Sequence, residues 1–188
     1  MPKLSSPPIA PAWLAIDIGN TQTVAGVFSP SHRAECLDQL RFKTDRNWTA
    51  QDWKRNLAPL FENRFSVSKI IVASVVPQLR SVLNDAFLPG LWQWVDAHSA
   101  LNFELRLPSP EQLGADRIAN VAGALARFEP PLVIVDAGTA TTFCLVDASR
   151  RYIGGAIVPG IETSFFSLAA KAAKLFEVEW KRPASALG

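Results

Sequence analysis

The chain is poor in the residues that build redox and metal frameworks. It has two cysteines, Cys36 and Cys144, and two histidines, His32 and His98. Neither a disulfide scaffold nor a Cys- or His-rich zinc site can be assembled from so few ligands. No run approaches the roughly 18 consecutive apolar residues of a membrane span. Residues Met1 to Pro11 lack the apolar stretch of a secretion signal and read as a loose, disordered leader. The 19 Lys and Arg nearly balance the 17 Asp and Glu, for a net charge of +2. That gives no electrostatic reason to expect nucleic acid or a membrane surface as partner. A soluble, cytoplasmic protein is the expectation.

What is present is core material. Hydrophobic residues make up 48% of the 188, enough for a buried core without disulfides in one domain or two small ones. Two apolar runs, Trp13–Ile16 and Val24–Phe28, flank a Gly/Asn turn and read as a β-hairpin. In Leu40 to Thr44, Leu40 and Phe42 alternate with Arg41 and Lys43, as in a third strand. Thr49 and Asp52 have capping-box spacing ahead of a helical face of Trp53, Leu57, Leu60 and Phe61, which Pro59 interrupts. Lys69–Ser74 reads as a buried strand, and Pro77 suits the first turn of a helix carrying Leu79, Val82, Leu83 and Ala86. Pro89-Gly90 should end that helix. Further strands are expected at Trp92–Val95 and Phe103–Leu107. A helix from about Ala115 carries Ile118, Val121, Ala122 and Leu125. Strands at Leu132–Val135, Thr142–Val146 and Tyr152–Ile157 and a helix over about Glu162–Leu175 follow. Strands alternating with helices indicate an α/β fold. The six tryptophans, Trp180 among them, read as core and interface.

An internal repeat organises this pattern. Leu14-Ala15-Ile16-Asp17-Ile18-Gly19-Asn20-Thr21-Gln22-Thr23-Val24 lies over Val133-Ile134-Val135-Asp136-Ala137-Gly138-Thr139-Ala140-Thr141-Thr142-Phe143 without a gap. Each copy is a strand, an Asp, a small glycine turn with a hydroxyl-rich tip, and a second strand. An aspartate at a strand end is a hard oxygen ligand for Mg²⁺. A glycine turn offers successive N–H groups to an anion. Either copy alone could be a β-turn whose Asp satisfies local donors; the duplication points to phosphate handling. The P-loop and G-x-G-x-x-G patterns are both absent.

Such paired hairpins resemble the actin-like ATPase superfamily. Within it the chain is similar to type III pantothenate kinases. The matching segments are Asp17-Ile18-Gly19-Asn20-Thr21, Ser74-Val75-Val76-Pro77, Gly114-Ala115-Asp116-Arg117 with Asn120 and Gly123-Ala124, Asp136 to Thr141, and Gly154 to Gly160. They occur in the family's order and span the chain from Leu14 onward; the Gly-Ala-Asp-Arg box is the specific part.

The resemblance implies two ribonuclease H-like units around an ATP cleft, residues 12–114 and 115–188, the second incomplete. It also implies transfer of the γ-phosphoryl group of ATP to the terminal hydroxyl of pantothenate, the first step towards coenzyme A. By it, Asp17, Ile18, Gly19, Asn20, Thr21, Gln22, Thr23 and Val24 hold the ATP phosphates, with Asp17 on Mg²⁺. Thr139 is a second ATP contact, and Asp136 a ligand of K⁺ or NH₄⁺. Gly114, Ala115, Asp116 and Arg117 form the pantothenate box, with Asp116 as catalytic base. Loose phosphoryl-transfer transition states ask mostly for positioning and charge neutralisation, which suits such a set. An acid in a first helical turn also complements the helix dipole, and an arginine beside it is ordinarily a solvated one.

Two departures stand out. Leu107 falls near where many relatives carry a pocket tyrosine, and Ala97-His98-Ser99-Ala100 replaces a glycine-rich turn, so substrate affinity or tolerance is expected to differ. Leu107 is the feature that favours the alternative of a kinase for another small hydroxylated substrate. A non-catalytic nucleotide-binding regulator is a further alternative, against which Asp116 and Arg117 speak. Relatives act as homodimers and continue beyond the stretch matching Ala186–Gly188. The expectation is therefore a chain short of its family's length, with little kinase activity of its own.

Overall fold

The computed structural model describes residues 10–30, 35–61, 64–86, 90–171 and 185. The readings for Met1–Ile9, His32, Pro89, residues 172–175, Trp180 and Ala186–Gly188 lie outside them.

Two sheets carry the fold. The first is built from β1 (Ala10–Ile18), β2 (Gln22–Phe28), β3 (Cys36–Lys43), β4 (Phe65–Ser74) and β5 (Trp92–Trp94), in the order β3-β2-β1-β4-β5. β1–β2 and β2–β3 pair antiparallel; β1–β4 and β4–β5 pair parallel. Ala10 and Pro11, expected in the leader, are the first two residues of β1, where Ala10 pairs with Phe65 of β4.

Period-two burial gives this sheet its core face. Ala12, Leu14, Ile16 and Ile18 of β1, Ala25 and Val27 of β2, and Ile70 and Val72 of β4 are buried. Against them pack Trp53, Leu57 and Leu60 of α1 (Ala50–Phe61) and Leu79, Leu83 and Ala86 of α2 (Leu79–Ala86). Each of the leucine, isoleucine and valine side chains among them contributes roughly 1.5–3 kcal/mol by leaving water. Phe42 and Trp48 close the cluster over Trp53, with ring centroids 5.3–5.9 Å apart. α1 runs through Pro59 to Phe61. Pro59 lies on the exposed side of the helix, where the carbonyl it leaves without a donor can meet water.

The second sheet has the order β6-β9-β8-β7, from β6 (Glu104–Leu105), β7 (Leu132–Ala137), β8 (Ala140–Val146) and β9 (Arg151–Pro159). β7, β8 and β9 form an antiparallel meander, as β1, β2 and β3 do. Its core is smaller: Ile118, Val121 and Leu125 of α3 (Ala115–Leu125) pack on Cys144, Val146 and Tyr152. The final described helix is α4 (Ile161–Lys171). Strand β6 is shorter than the expected Phe103–Leu107. Its two residues pair with Arg151 and Tyr152 of β9, and Glu104 N and Arg106 N donate to Arg150 O and Tyr152 O.

Phe103 and Leu105 belong to the second core, and β6 to the second sheet. We therefore propose that the two units divide between Trp94 and Glu104, upstream of the 114/115 boundary expected from the sequence. Both units are α/β and ribonuclease H-like in their meander. No helix among the described residues is long and apolar enough to cross a membrane.

Candidate active site

The turn after β1 is closed by Gly19 N donating to Gln22 O at 3.0 Å. A side chain at Gly19 would place its Cβ 2.9 Å from that carbonyl, closer than a Cβ normally approaches. Alternation then sorts the expected phosphate segment into two sets. Asp17 and Val24, paired across β1 and β2, face the cleft. Ile18 is fully buried in the first core, and Thr23 is buried with its hydroxyl 2.9 Å from that of Thr44. Thr44 also donates to Gly19 O at 2.8 Å. Ile18 and Thr23 thus send no side chain into the cleft; they hold the hairpin from behind. Asn20, Thr21 and Gln22 form the open tip. Arg46 Nη2 donates to Asn20 Oδ1 at 2.9 Å, and Arg41 Nη1 to Gln22 Oε1 at 2.8 Å.

The second hairpin repeats the first with one residue fewer. The last pair of β1–β2 is Ile18↔Thr23, which leaves a four-residue turn; that of β7–β8 is Ala137↔Thr141, which leaves three. The gapless sequence overlay therefore slips by one after the turn. Thr142, not Phe143, pairs with Asp136 as Val24 pairs with Asp17. The two tips meet: the hydroxyls of Thr21 and Thr139 are 3.0 Å apart. α4 begins against the second tip, where Gly160 N and Thr163 Oγ1 donate to Thr139 O at 3.0 and 2.7 Å. A Cβ on Gly160 would collide with the carbonyls of Gly138 and Thr139.

α3 supplies the third wall. Gly114 is its N-cap, and a Cβ there would run into the Asp116 carboxylate. Asp116 Oδ1 accepts from Arg117 N at 2.8 Å, so this carboxylate caps its own helix while lining the cleft. One turn on, Asn120 Nδ2 donates to Asp136 Oδ2 at 2.9 Å. Arg117 turns the other way. Its Nη2 donates to Phe143 O at 2.9 Å and to the Tyr152 hydroxyl at 2.6 Å, and its Nε to Cys144 Sγ at 3.3 Å. A Cβ on Gly155 would occupy the path of that guanidinium. The guanidinium expected to meet substrate thus gives its Nε and Nη2 donors to the second unit, where a carbonyl and a phenol require them.

Asp17, Asp116, Asp136, Thr21 and Thr139 thus line one cleft of about 580 Å³. Gly114, Ala115 and Leu107 do not line it; Leu107 packs on the second core. The 97–100 turn is likewise off the cleft, held by Asp96 through His98 N and Ser99 N. Ser74 shapes the β4–α2 turn by accepting from Val76 N at 3.1 Å, and its neighbour Val75 reaches the cleft. Sequence reasoning missed Arg41, Thr142 and Glu162 as cleft residues. For Arg41 the signal was there, in the alternation of β3 that sets it opposite Val24.

The cleft is acidic: Asp17, Asp116, Asp136 and Glu162 face Arg41, the one basic residue among its described lining. Asp17 opens on the cleft, yet protein surrounds it enough to withdraw it from bulk water. That burial, then the charges of Asp116 and Asp136, raise its pKa above the ordinary carboxylate value, with Arg41 acting against them. A carboxylate so placed gains from a cation. No three carboxylate, thiol or imidazole groups among the described residues come close enough to form a complete metal cage. The placement of Asp17 fits Mg²⁺, which is commonly held by one or two carboxylates together with water and substrate phosphate.

Comparison with known proteins places these features. The family model for type III pantothenate kinase matches residues 13–188. A type III pantothenate kinase of Shouchella clausii is 38% identical over 183 residues, covering 93% of this chain and 70% of the relative. One of Exiguobacterium sibiricum is 35% identical, covering 93% and 71%. Among solved structures, a Baf-family protein of Campylobacter jejuni aligns with a TM-score of 0.55 at 21% identity, over 87% of this chain and 63% of its own. The activator of 2-hydroxyisocaproyl-CoA dehydratase from Clostridium difficile, solved with bound ADPNP, aligns at 0.50 with 11% identity, over 85% of this chain and 51% of its own. At such identities the solved structures speak to the fold alone, whereas the family model and the curated relatives carry the assignment: this chain belongs to the type III pantothenate kinase family.

Proposed function

We propose that the cleft transfers the γ-phosphoryl group of ATP to the terminal hydroxyl of pantothenate, giving 4'-phosphopantothenate and ADP. The observation that carries this reading is the meeting of Asp17, Asp116 and the two threonine tips in one cleft of a pantothenate kinase family member. Thr21 and Thr139 sit where neutral donors from both sheets can share the phosphate chain. Asp17 would hold Mg²⁺, which would neutralise phosphate charge. Asp116 has one oxygen on its helix N-terminus and the cleft before it, and so can accept the hydroxyl proton late in the transfer. The new bond joins that hydroxyl oxygen to the γ-phosphorus, and the bond to the bridging oxygen of ADP breaks.

Asp136, anchored by Asn120, is the proposed ligand of K⁺ or NH₄⁺. We also read the protein as a cytoplasmic homodimer, as the family resemblance implies. The chain spans about 70% of the length of the curated relatives named above. A coupled ADP-release assay tests the reading. ADP formation that rises on adding pantothenate supports it, and ATP turnover indifferent to pantothenate counts against it.

A further inference from the structure

Three residues stand in register across the first sheet. Asp17 pairs with Val24, and Val24 with Arg41. In-register neighbours share a face, so Arg41 stands two strand spacings, about 10 Å, from Asp17 on the cleft side. Gln22, two residues before Val24 and on the same face, accepts one N–H of the guanidinium at 2.8 Å. Among the described residues Arg41 makes no ion pair and has no other hydrogen bond. Among the described residues no carboxylate pairs with its charge directly, although four line the same cleft. Arg117 differs, since its Nε and Nη2 donate to Cys144, Phe143 and Tyr152.

We propose that Arg41 is a phosphate-contacting residue, donating its remaining N–H groups to the terminal phosphoryl oxygens of ATP, with Gln22 as its positioning residue. The proposal rests on reading the cleft as an ATP site. The terminal phosphate is favoured because Arg41 lines the same cleft as Asp116, the proposed base, which must stand beside the phosphoryl group being transferred. A planar guanidinium matches two phosphoryl oxygens at once, as an ammonium cannot. Charge on those oxygens is what phosphoryl transfer asks the protein to balance.

Calorimetric binding of ATP and of ADP, each with Mg²⁺, separates this role from a structural one. Arg41→Met is expected to raise the Kd for ATP by about 10- to 100-fold, while ADP binding changes by less than about threefold. Arg41→Lys should fall between wild type and Arg41→Met, and Gln22→Ala should shift ATP affinity in the same direction by a smaller factor. The melting temperature should stay put in all three. Unchanged ATP affinity in Arg41→Met would overturn the proposal, as would equal losses for ATP and ADP with a lowered melting temperature. Failure of the wild-type protein to bind either nucleotide would instead bring down the ATP reading on which the proposal stands.

Discussion

Tyr152 is the only tyrosine in the chain, and it is buried, with its hydroxyl 2.6 Å from Arg117 Nη2. Burial, then the neighbouring Cys144, push its pKa up to about 12, while Arg117 pulls the other way. The folded pKa is thus above the unfolded value of about 10. Its contribution to stability is fully present below about pH 10 and is lost as pH rises towards 12. With one tyrosine present, the tyrosinate absorbance reads this directly. The midpoint is expected near 12 in the folded protein and near 10 in denaturant; a folded midpoint at the ordinary value would show that the Tyr152 hydroxyl is not withdrawn from water as described. Asp136 carries a second prediction at this scale. If it holds a monovalent cation beside the phosphates, activity should fall when Na⁺ replaces K⁺ or NH₄⁺, because site size and ligand field choose between ions. Asp136→Ala should then remove the dependence along with most activity, and equal rates in Na⁺ and K⁺ buffers would contradict the assignment.

Among the elements, α1 is the one whose start is written most plainly. Thr49 N and Oγ1 both donate to Asp52 Oδ2, at 2.9 and 2.7 Å, and Asp52 N donates back to Thr49 Oγ1 at 3.3 Å. Those bonds, led by the one from the Thr49 hydroxyl, hold the Asp52 carboxyl below its ordinary value. The box is therefore weakened as pH falls from about 4 through that lowered value. Thr49→Ala should cost about 1 kcal/mol in denaturant unfolding, and a loss of a few tenths or less would mean the box adds little. The same local logic made the hairpins, the buried faces of β1 and β4 and the alternation of β3 legible in the sequence. The one-residue difference between the two turns was not, because a gapless repeat is blind to loop length while strand pairing is not. Arg41 was legible as a strand residue on the polar face, but its place in the cleft depends on two strand pairings and a second sheet. Arg117 ran the other way: its motif suggested substrate, and the buried acceptors that claim it are contributed by β8 and β9, far along the chain.

At the scale of the whole molecule, the proposed function depends on bringing two hairpins, 119 residues apart at their aspartates, to one cleft with the N-terminus of α3. The contact between Thr21 and Thr139 and the bond from Asn120 to Asp136 fasten that arrangement. The second sheet is less covered than the first: Val133 and Val135 are 66% and 54% exposed on the face away from α3. The edge beside β7, where the first sheet places β4, has no strand among the described residues. The residues proposed for the transfer nonetheless meet in one cleft. Single-turnover transfer of a labelled γ-phosphoryl group from ATP to pantothenate, with protein in excess, tests that claim most directly. Label is expected in phosphopantothenate for the wild type. In Asp116→Asn the rate should fall by about 10²–10⁴ with ATP binding little changed. Label transferred at the wild-type rate by a folded Asp116→Asn, or lost to water whether or not pantothenate is present, would contradict it.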